Sequence, residues 1–436
     1  MKSLRNILMR PGYPLIKNIR PCQNPESSSF LLSIYPNYYT LPSSIFLHFS
    51  LLLMEFIIRN YDGQSDKAEV EDIERRCAVG PAESVFLFTD TMDDPICRIR
   101  NSPMHNVLVA EMDKELIGVI QGSVKVVTLP THELAKVGYV LGLRVAPSHR
   151  RKGVGSSLLR RLEEWFCSND VDFAYMATMK DNHASISFFM GKFGYTKFRT
   201  PSILVNPVNR HPLRISSNIE IVRLKVDQAE SLYRKFMGPS EFFPDDIDCI
   251  LRNKLSLGTW VAYFKGDSSW DDFGNDGRVP SNWAMLSLWN SGKIFNLKLQ
   301  KATFSCLLCR KSQGLIDKVF PCLKRPTLPD FSNPFGFYFM YGLCHDGPLS
   351  GKLVRGLCKF VHNMAAEAED CEKIKIVVTE VGGRDKIEHH IPHWKLLSCQ
   401  EDLWCIKALK NDGANKSLES AKIPPTSALF VDPREV

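Results

Sequence analysis

Residues Tyr139-Val-Leu-Gly-Leu-Arg-Val145, one alanine, and then Pro147-Ser-His-Arg-Arg-Lys-Gly-Val-Gly155 decide how this chain folds. The first run is almost wholly apolar, which predicts a central strand covered on both faces. The second is a basic turn carrying two glycines. It opens directly on a helical pattern, with Val154, Leu158, Leu162 and Trp165 on one face and Glu163 and Glu164 mostly on another. A strand, a glycine turn and a helix N-terminus make an anion site. The first helical N–H groups lack intrahelical partners, and the helix dipole favours negative charge there. Gly153 and Gly155 let the backbone approach a phosphate, and Arg150, Arg151 and Lys152 add positive charge. The spacing matches neither the three-glycine dinucleotide pattern nor the triphosphate loop that ends in Gly-Lys-Ser/Thr.

Working outward, Phe56–Tyr61 reads as a strand and Lys67–Cys77 as an amphipathic helix presenting Val70 and Ile73. Asn106–Met112 and Glu115–Val127 form a hairpin about Asp113-Lys114, and Pro130–Lys136 is a loop. Downstream, Phe173–Met179 is the next strand, followed by Asn182 and a short helix closing at Phe193-Gly194-Tyr195. Arg150-x-x-Gly153-x-Gly155, after a strand ending Val-x-Pro, resembles the pyrophosphate loop of the Gcn5-related N-acetyltransferases (GNAT). Asn182 with its aromatic-bearing helix resembles that family's second signature. Longer strings resemble the plant Hookless-type N-acetyltransferases: Asp94-Pro-Ile-Cys-Arg-Ile-Arg100, Phe198-Arg-Thr-Pro-Ser-Ile-Leu-Val-Asn-Pro207, Asn253-Lys-Leu-Ser-Leu-Gly-Thr259, Ile391-Pro-His-Trp-Lys-Leu-Leu-Ser-Cys399, Asp402-Leu-Trp-Cys-Ile-Lys407 and Phe430-Val-Asp-Pro-Arg-Glu435. The resemblance runs from about Met54 to the C-terminus.

The resemblance implies an α/β (α+β) acetyltransferase fold with a mixed central sheet. It implies acetyl-coenzyme A as co-substrate, no metal, and direct attack by an amine, on a protein lysine or N-terminus, without a covalent enzyme intermediate. It also implies a part in hormone-controlled plant growth and a place in the nucleus or cytoplasm. Leu143, Arg144 and Val145 match the strand whose backbone pairs with the pantetheine arm. Arg150, Arg151, Lys152, Gly153, Val154 and Gly155 match the pyrophosphate cradle, and Asn182 matches a position near the coenzyme. The catalytic groups transfer less well. Tyr139 stands where many relatives carry a glutamate base, and an unperturbed tyrosine titrates near ~10. The tyrosine acid of relatives falls on Phe189 or Met190, neither of which can give a proton. The remaining candidates are Tyr139, Asp90 and Asp93. With Asp94 and Glu83, the last two also read as an acidic lip that attracts a lysine-rich acceptor. The missing glutamate and tyrosine support an alternative, a non-catalytic acetyl-coenzyme A-binding regulatory protein.

The second half repeats the element order of the first. Ile219–Leu224 is a strand, Gln228–Met237 a helix, Thr259–Phe264 and Trp283–Trp289 strands parted by the polar loop Gly266–Gly277, and Phe337–Leu343 an apolar strand. Lys352–Ala368 is a long helix, Ile374–Thr379 a strand and Trp404–Leu409 the last strand. This predicts a second, degenerate copy of the fold. At its turn His345-Asp-Gly-Pro-Leu-Ser-Gly351 lacks the clustered arginines, and Pro348 removes a donor. Four segments are expected: an extension over 1–53, non-native or disordered; the acetyltransferase domain over 54–212; its degenerate copy over 213–412; and a tail over 413–436. The extension is poor in acids, so an organellar transit peptide is the other reading of it.

Composition bounds the rest. The chain has 436 residues and a net charge of +7, and its charges are scattered, so no nucleic-acid arm is expected. The apolar run Ile45–Leu53 is too short for a membrane span. Thirteen irregularly spaced cysteines fit free thiols rather than a disulfide framework, and Cys306 and Cys309 have no second pair at zinc spacing.

Overall fold

The computed structural model of the chain describes residues 56–77, 86–92, 94–129, 133–209, 211–267, 279–300, 329, 331, 333–368, 373–383, 385–395, 397–399, 401–410 and 428–436. The first half runs β1 (Ile57–Asn60), α1 (Lys67–Arg76), β2 (Phe86–Asp90), β3 (Met104–Met112), β4 (Glu115–Thr128) and β5 (Leu134–Val145). It continues through α2 (Val154–Ser168), β6 (Phe173–Met179), α3 (His183–Ile186), which passes into a π-helical turn over Ser187–Lys192, and β7 (Thr196–Arg199). β8 (Ser202–Pro207) ends the first half, and the second half runs β9 (Ile219–Leu224), α4 (Val226–Phe236), α5 (Ile247–Arg252), β10 (Ser256–Phe264) and β11 (Trp283–Asn290). Then come β12 (Asn296–Gln300), β13 (Gly336–Asp346), α6 (Ser350–Glu367), β14 (Ile374–Val381) and β15 (Asp402–Ala408).

These strands form two large mixed sheets, in the orders β1-β3-β4-β5-β6-β15-β7 and β8-β14-β13-β11-β10-β9, with β12 and β2 as a separate pair. The sheets are counterparts. In each, a parallel pair (β5 with β6, β13 with β14) is flanked by antiparallel neighbours. Each central strand carries a bulge at a glycine held in the left-handed region, Gly142 at φ +62° and Gly342 at φ +59°, where a side chain is strained. The repeat expected from the element order is thus present as a second sheet of the same build. Trp404–Leu409, however, does not close that second sheet. β15 inserts into the first one, between β6 and β7, with Tyr175 opposite Ile406. In return β8, from the chain's first half, closes the second sheet on β14, with Val205 opposite Val378. Sequence periodicity finds strands but not their partners, because pairing across some 200 residues leaves no local pattern.

Three layers of apolar packing result. α2 covers the outer face of the first sheet through Leu158, Leu162 and Phe166, all fully buried. Phe166 takes the place expected for Trp165, which is only half-buried. α6 covers the outer face of the second sheet with Leu353, Val354, Leu357 and Val361. Between the sheets lies an aromatic-rich core, including Tyr139, Tyr175, Phe242, Trp289, Trp404 and Phe430.

Buried charge sits in that core. Residues 428–436 touch both halves: Leu429, Phe430 and Val431 are buried, Phe430 packs against Tyr341, and Asp432 and Glu435 ion-pair with Lys125 of β4 at 3.3 and 2.8 Å. Arg434 binds both Asp432 and Asp246. Arg199 of β7 forms a bidentate pair with Glu241, whose carboxylate is fully buried and whose backbone bonds the segment at Ala428 and Phe430. The polar loop expected between β10 and β11, and Cys306 and Cys309, lie outside the described residues.

Candidate functional site

β5 and β6 run parallel and then part. Their ladder holds only Val137–Phe173, Gly138–Ala174 and Tyr139–Tyr175, although β6 continues to Met179 and β5 to Val145. The bulge at Gly142 turns β5 away while its other edge stays paired to β4, Val119 opposite Arg144 and Gly118 opposite Val145. The edge of β5 along Leu143–Val145 that faces away from β4 therefore lines a slot between the two strands; these residues are half-buried, and the Leu143 and Val145 carbonyls accept from Arg144 Nη1 at 3.2 Å and Arg150 Nε at 3.1 Å. An extended chain bearing amide groups fits such an edge, because free N–H and C=O groups need partners.

The slot leads to the glycine turn. Gly153 sits before α2 at φ +96°, and the first helical-type bond is from the Ser157 N–H to the Gly153 carbonyl at 3.0 Å. The N–H groups of Val154, Gly155 and Ser156 thus point forward without intrahelical partners. No atom comes within 4 Å of the place where a Gly153 side chain would begin. Arg151 and Lys152 are exposed beside it. The geometry fits a diphosphate: open space, convergent N–H donors and two free cations. Arg150 is used differently, since its Nε donates to the Val145 carbonyl at 3.1 Å and folds the turn back on the strand end. The Arg144 guanidinium is committed elsewhere, paired with Glu74 of α1 at 2.9 Å and donating to the Leu143 carbonyl at 3.2 Å. Val154 points its side chain into the core and contributes an N–H alone.

Asn182 lies at the head of α3. Its Oδ1 accepts from the Ser185 N–H at 3.2 Å and its Nδ2 donates to Thr178 Oγ1 at 3.1 Å. This cap fixes the angle between β6 and the π-helical turn. The turn carries two residues that the sequence did not single out. Phe188 walls the space beside Gly155, 3.8 Å from the position of an added Cβ, and Lys192 donates to Ser156 Oγ in the first turn of α2 at 2.7 Å. Only the register of the π turn brings them there, and no sequence pattern announces it. With Lys192 as a third cation at the cradle, Lys192→Ala is expected to weaken acetyl-coenzyme A binding about fivefold at low salt, or about 1 kcal/mol. Calorimetry at two ionic strengths checks this. The loss shrinks at high salt if it is electrostatic.

Tyr139 is buried and stacked on Tyr175 with centroids 4.8 Å apart. Burial pushes its phenol far above the ordinary tyrosine value, so it takes no proton at neutral pH. Phe189 is buried against Tyr195, and Met190 is half-buried. Asp93 and Glu83 lie outside the described residues, and Asp90 is placed only as the last residue of β2, opposite Asn296. Asp94 is paired with Arg100 at 2.7 Å. Among the described residues no group of three or more His, Cys, Asp or Glu side chains is placed to hold a metal ion, and no helix is long and apolar enough to cross a membrane.

Comparison with known proteins agrees with this geometry. Residues 68–195 match the acetyltransferase (GNAT) family. The chain is 44% identical over 410 residues to "Probable N-acetyltransferase HLS1-like" of Arabidopsis thaliana, covering 87% of this chain and 98% of that protein. It is 45% identical over 404 residues to "Probable N-acetyltransferase HLS1" of the same plant, covering 87% and 99%. Among solved structures, N-myristoyltransferase of Saccharomyces cerevisiae with bound myristoyl-CoA superimposes with a TM-score of 0.50 at 10% identity, covering 81% of this chain and 79% of that one. That likeness is one of fold.

Proposed function

The chain belongs to the family of the Arabidopsis HLS1-type N-acetyltransferases, within the GNAT acetyltransferases, and on that premise we propose that it moves an acetyl group from acetyl-coenzyme A directly to an amine of a protein. The observation that carries the reading is the slot between β5 and β6 opening beside the glycine turn at Gly153–Gly155. The turn and its cations hold the diphosphate. The edge of β5 along Leu143–Val145 takes the amide-bearing arm and orients the thioester through the splay. A slot-facing N–H of this stretch stabilises the oxyanion, a contribution of about 2.7–4 kcal/mol in comparable sites. Holding amine and thioester together supplies much of the remaining rate. The acceptor is a lysine or a chain N-terminus, and the growth role implied by the family resemblance belongs to this same proposal.

Incubation with isotope-labelled acetyl-coenzyme A and a panel of proteins tests it. Label in amide linkage to lysine or N-terminal nitrogen is the expected outcome. Tight coenzyme binding with no label on any protein would instead favour a regulatory acyl-coenzyme A-binding protein, the reading that a buried Tyr139 in place of a carboxylate base supports.

A further inference from the structure

The inner face of the first sheet, opposite α2, is where an acceptor meets a thioester reaching through the slot. Directly opposed residues of an antiparallel pair share a face. Met179, Ala177 and Tyr175 of β6 stand opposite Asp402, Trp404 and Ile406 of β15. The Tyr175 and Trp404 rings meet at 5.7 Å in the inter-sheet core, so all six face inward. The β5–β6 ladder ends at Tyr139–Tyr175, and Asp402, opposite Met179, lies four residues further along β6, on the stretch that faces the splay. From the other sheet, Glu380 of β14 alternates with Ile376 and Val378, which face the same core, and stands opposite Ile203. Asp402 donates its N–H to Pro201, beside that same crossover. Two carboxyls, one from each sheet, thus converge next to the splay.

This end of the inter-sheet core holds buried polar atoms. Trp404 is 4% exposed and its indole N–H lies beside both the Asp402 and the Glu380 carboxyls without a full hydrogen bond to either. Gln121 is 4% exposed, lies against the Gly142 bulge, donates to the Pro95 carbonyl, and leaves its Oε1 free. Buried polar atoms of this kind need a partner from water or a ligand. Resting on the acyl-transfer reading, we propose that a primary ammonium reaches the splay from this inner face and that Asp402 is the catalytic residue that takes its proton.

The chemistry balances. The ammonium proton passes to the Asp402 carboxylate, and the freed lone pair forms the C–N bond at the acetyl carbonyl. The C–S bond breaks with its electron pair on sulfur, which takes the second amine proton. Asp402 returns its own to water, so one amide, one thiol and one proton result. Burial pushes the Asp402 carboxyl up to about 6, within reach of a base working at neutral pH. Glu380 is raised well above the ordinary carboxyl value, by burial and then by the Asp402 charge. The other titratable groups in this part of the core are Tyr139 and Tyr175, Arg98, whose Nη2 donates to the Glu435 carbonyl, and the paired Lys125 and Glu435.

The test uses the full chain and Asp402→Asn. With acetyl-coenzyme A and a lysine-bearing peptide, kcat is expected to fall about 100-fold or more, with calorimetric coenzyme affinity unchanged. The rise of kcat/KM through pH about 6 disappears, and Asp402→Glu restores part of the rate. Without coenzyme, carbon-detected carboxyl NMR shows a wild-type group titrating near 6, absent from Asp402→Asn and moved downward by n-butylammonium. Wild-type turnover and pH limb in Asp402→Asn, or a carboxyl titrating near its ordinary value and unmoved by the amine, overturns the assignment. Should the wild type acetylate no peptide, the transfer reading fails, and the titration alone decides for or against Asp402.

Discussion

Gly155→Asp abolishes acetyl-coenzyme A binding in a protein that still folds. The backbone at Gly155 is an ordinary helical one, and an added Cβ meets only Val145 Cγ2 at 3.5 Å and Phe188 Cε2 at 3.8 Å, both normal contacts. The fold therefore has room for a side chain, and the helix gains a first-turn carboxylate of the sign its dipole favours. That carboxylate occupies the space which the free N–H groups of α2 offer to an anion. Two like charges about 4 Å apart repel by about 1–4 kcal/mol at effective dielectric constants of 80 to 20, and a diphosphate presents more than one charge. An affinity loss of at least ~100-fold follows, with Gly155→Ala losing much less. Calorimetry alongside circular dichroism checks both. Unchanged affinity in a folded Gly155→Asp protein would place the coenzyme elsewhere.

Arg199→Ala is expected to cost about 3–5 kcal/mol of stability, the range for stranding one member of a buried ion pair. Glu241 has a fully buried side chain, and Arg199 supplies both Nε and Nη2 to it, the second at 2.7 Å. Arg199 also stacks on Phe198 and donates to its carbonyl, so its loss removes packing as well. The effect reaches beyond β7, because the Glu241 backbone holds the C-terminal segment at Ala428 and Phe430. Urea unfolding measures it as a shift of midpoint. Arg199→Met combined with Glu241→Leu should recover most of the loss, since an apolar pair of similar volume leaves no stranded charge. A single-variant cost below about 1 kcal/mol would show that water reaches Glu241.

The glycine turn proposed to hold the coenzyme was legible because its determinants are contiguous. A strand, a turn and a helix start over Tyr139–Gly155 carry their meaning in local period and in two glycines. Even there the assignments concern backbone more than side chain. Arg144 and Arg150 spend their guanidinium groups on Glu74 and the Val145 carbonyl, and Asn182 spends its amide on capping. What lies opposite the slot was not legible. Asp402 begins an alternating strand that reads like any other, and only its insertion beside β6, opposite Met179, brings it to the splayed end of that strand. The base candidates within the acetyltransferase-like segment are Tyr139, Asp90 and Asp93; burial raises the Tyr139 phenol, and Asp93 lies outside the described residues. Phe188 and Lys192 escaped notice because a π turn shifts which residues face α2.

The exchange of β15 and β8 sets a timetable for the newborn chain. When β6 leaves the ribosome its outer edge has no partner, and the strand that will cover it is still roughly 220 residues away. At ~5–20 residues per second, synthesis of that interval takes on the order of 10–45 s. Throughout it an apolar strand edge is open to wrong pairing. The transferase half should therefore be a poor candidate for separate expression and a good client for chaperones, with activity arriving only once the last strand has been released and threaded home.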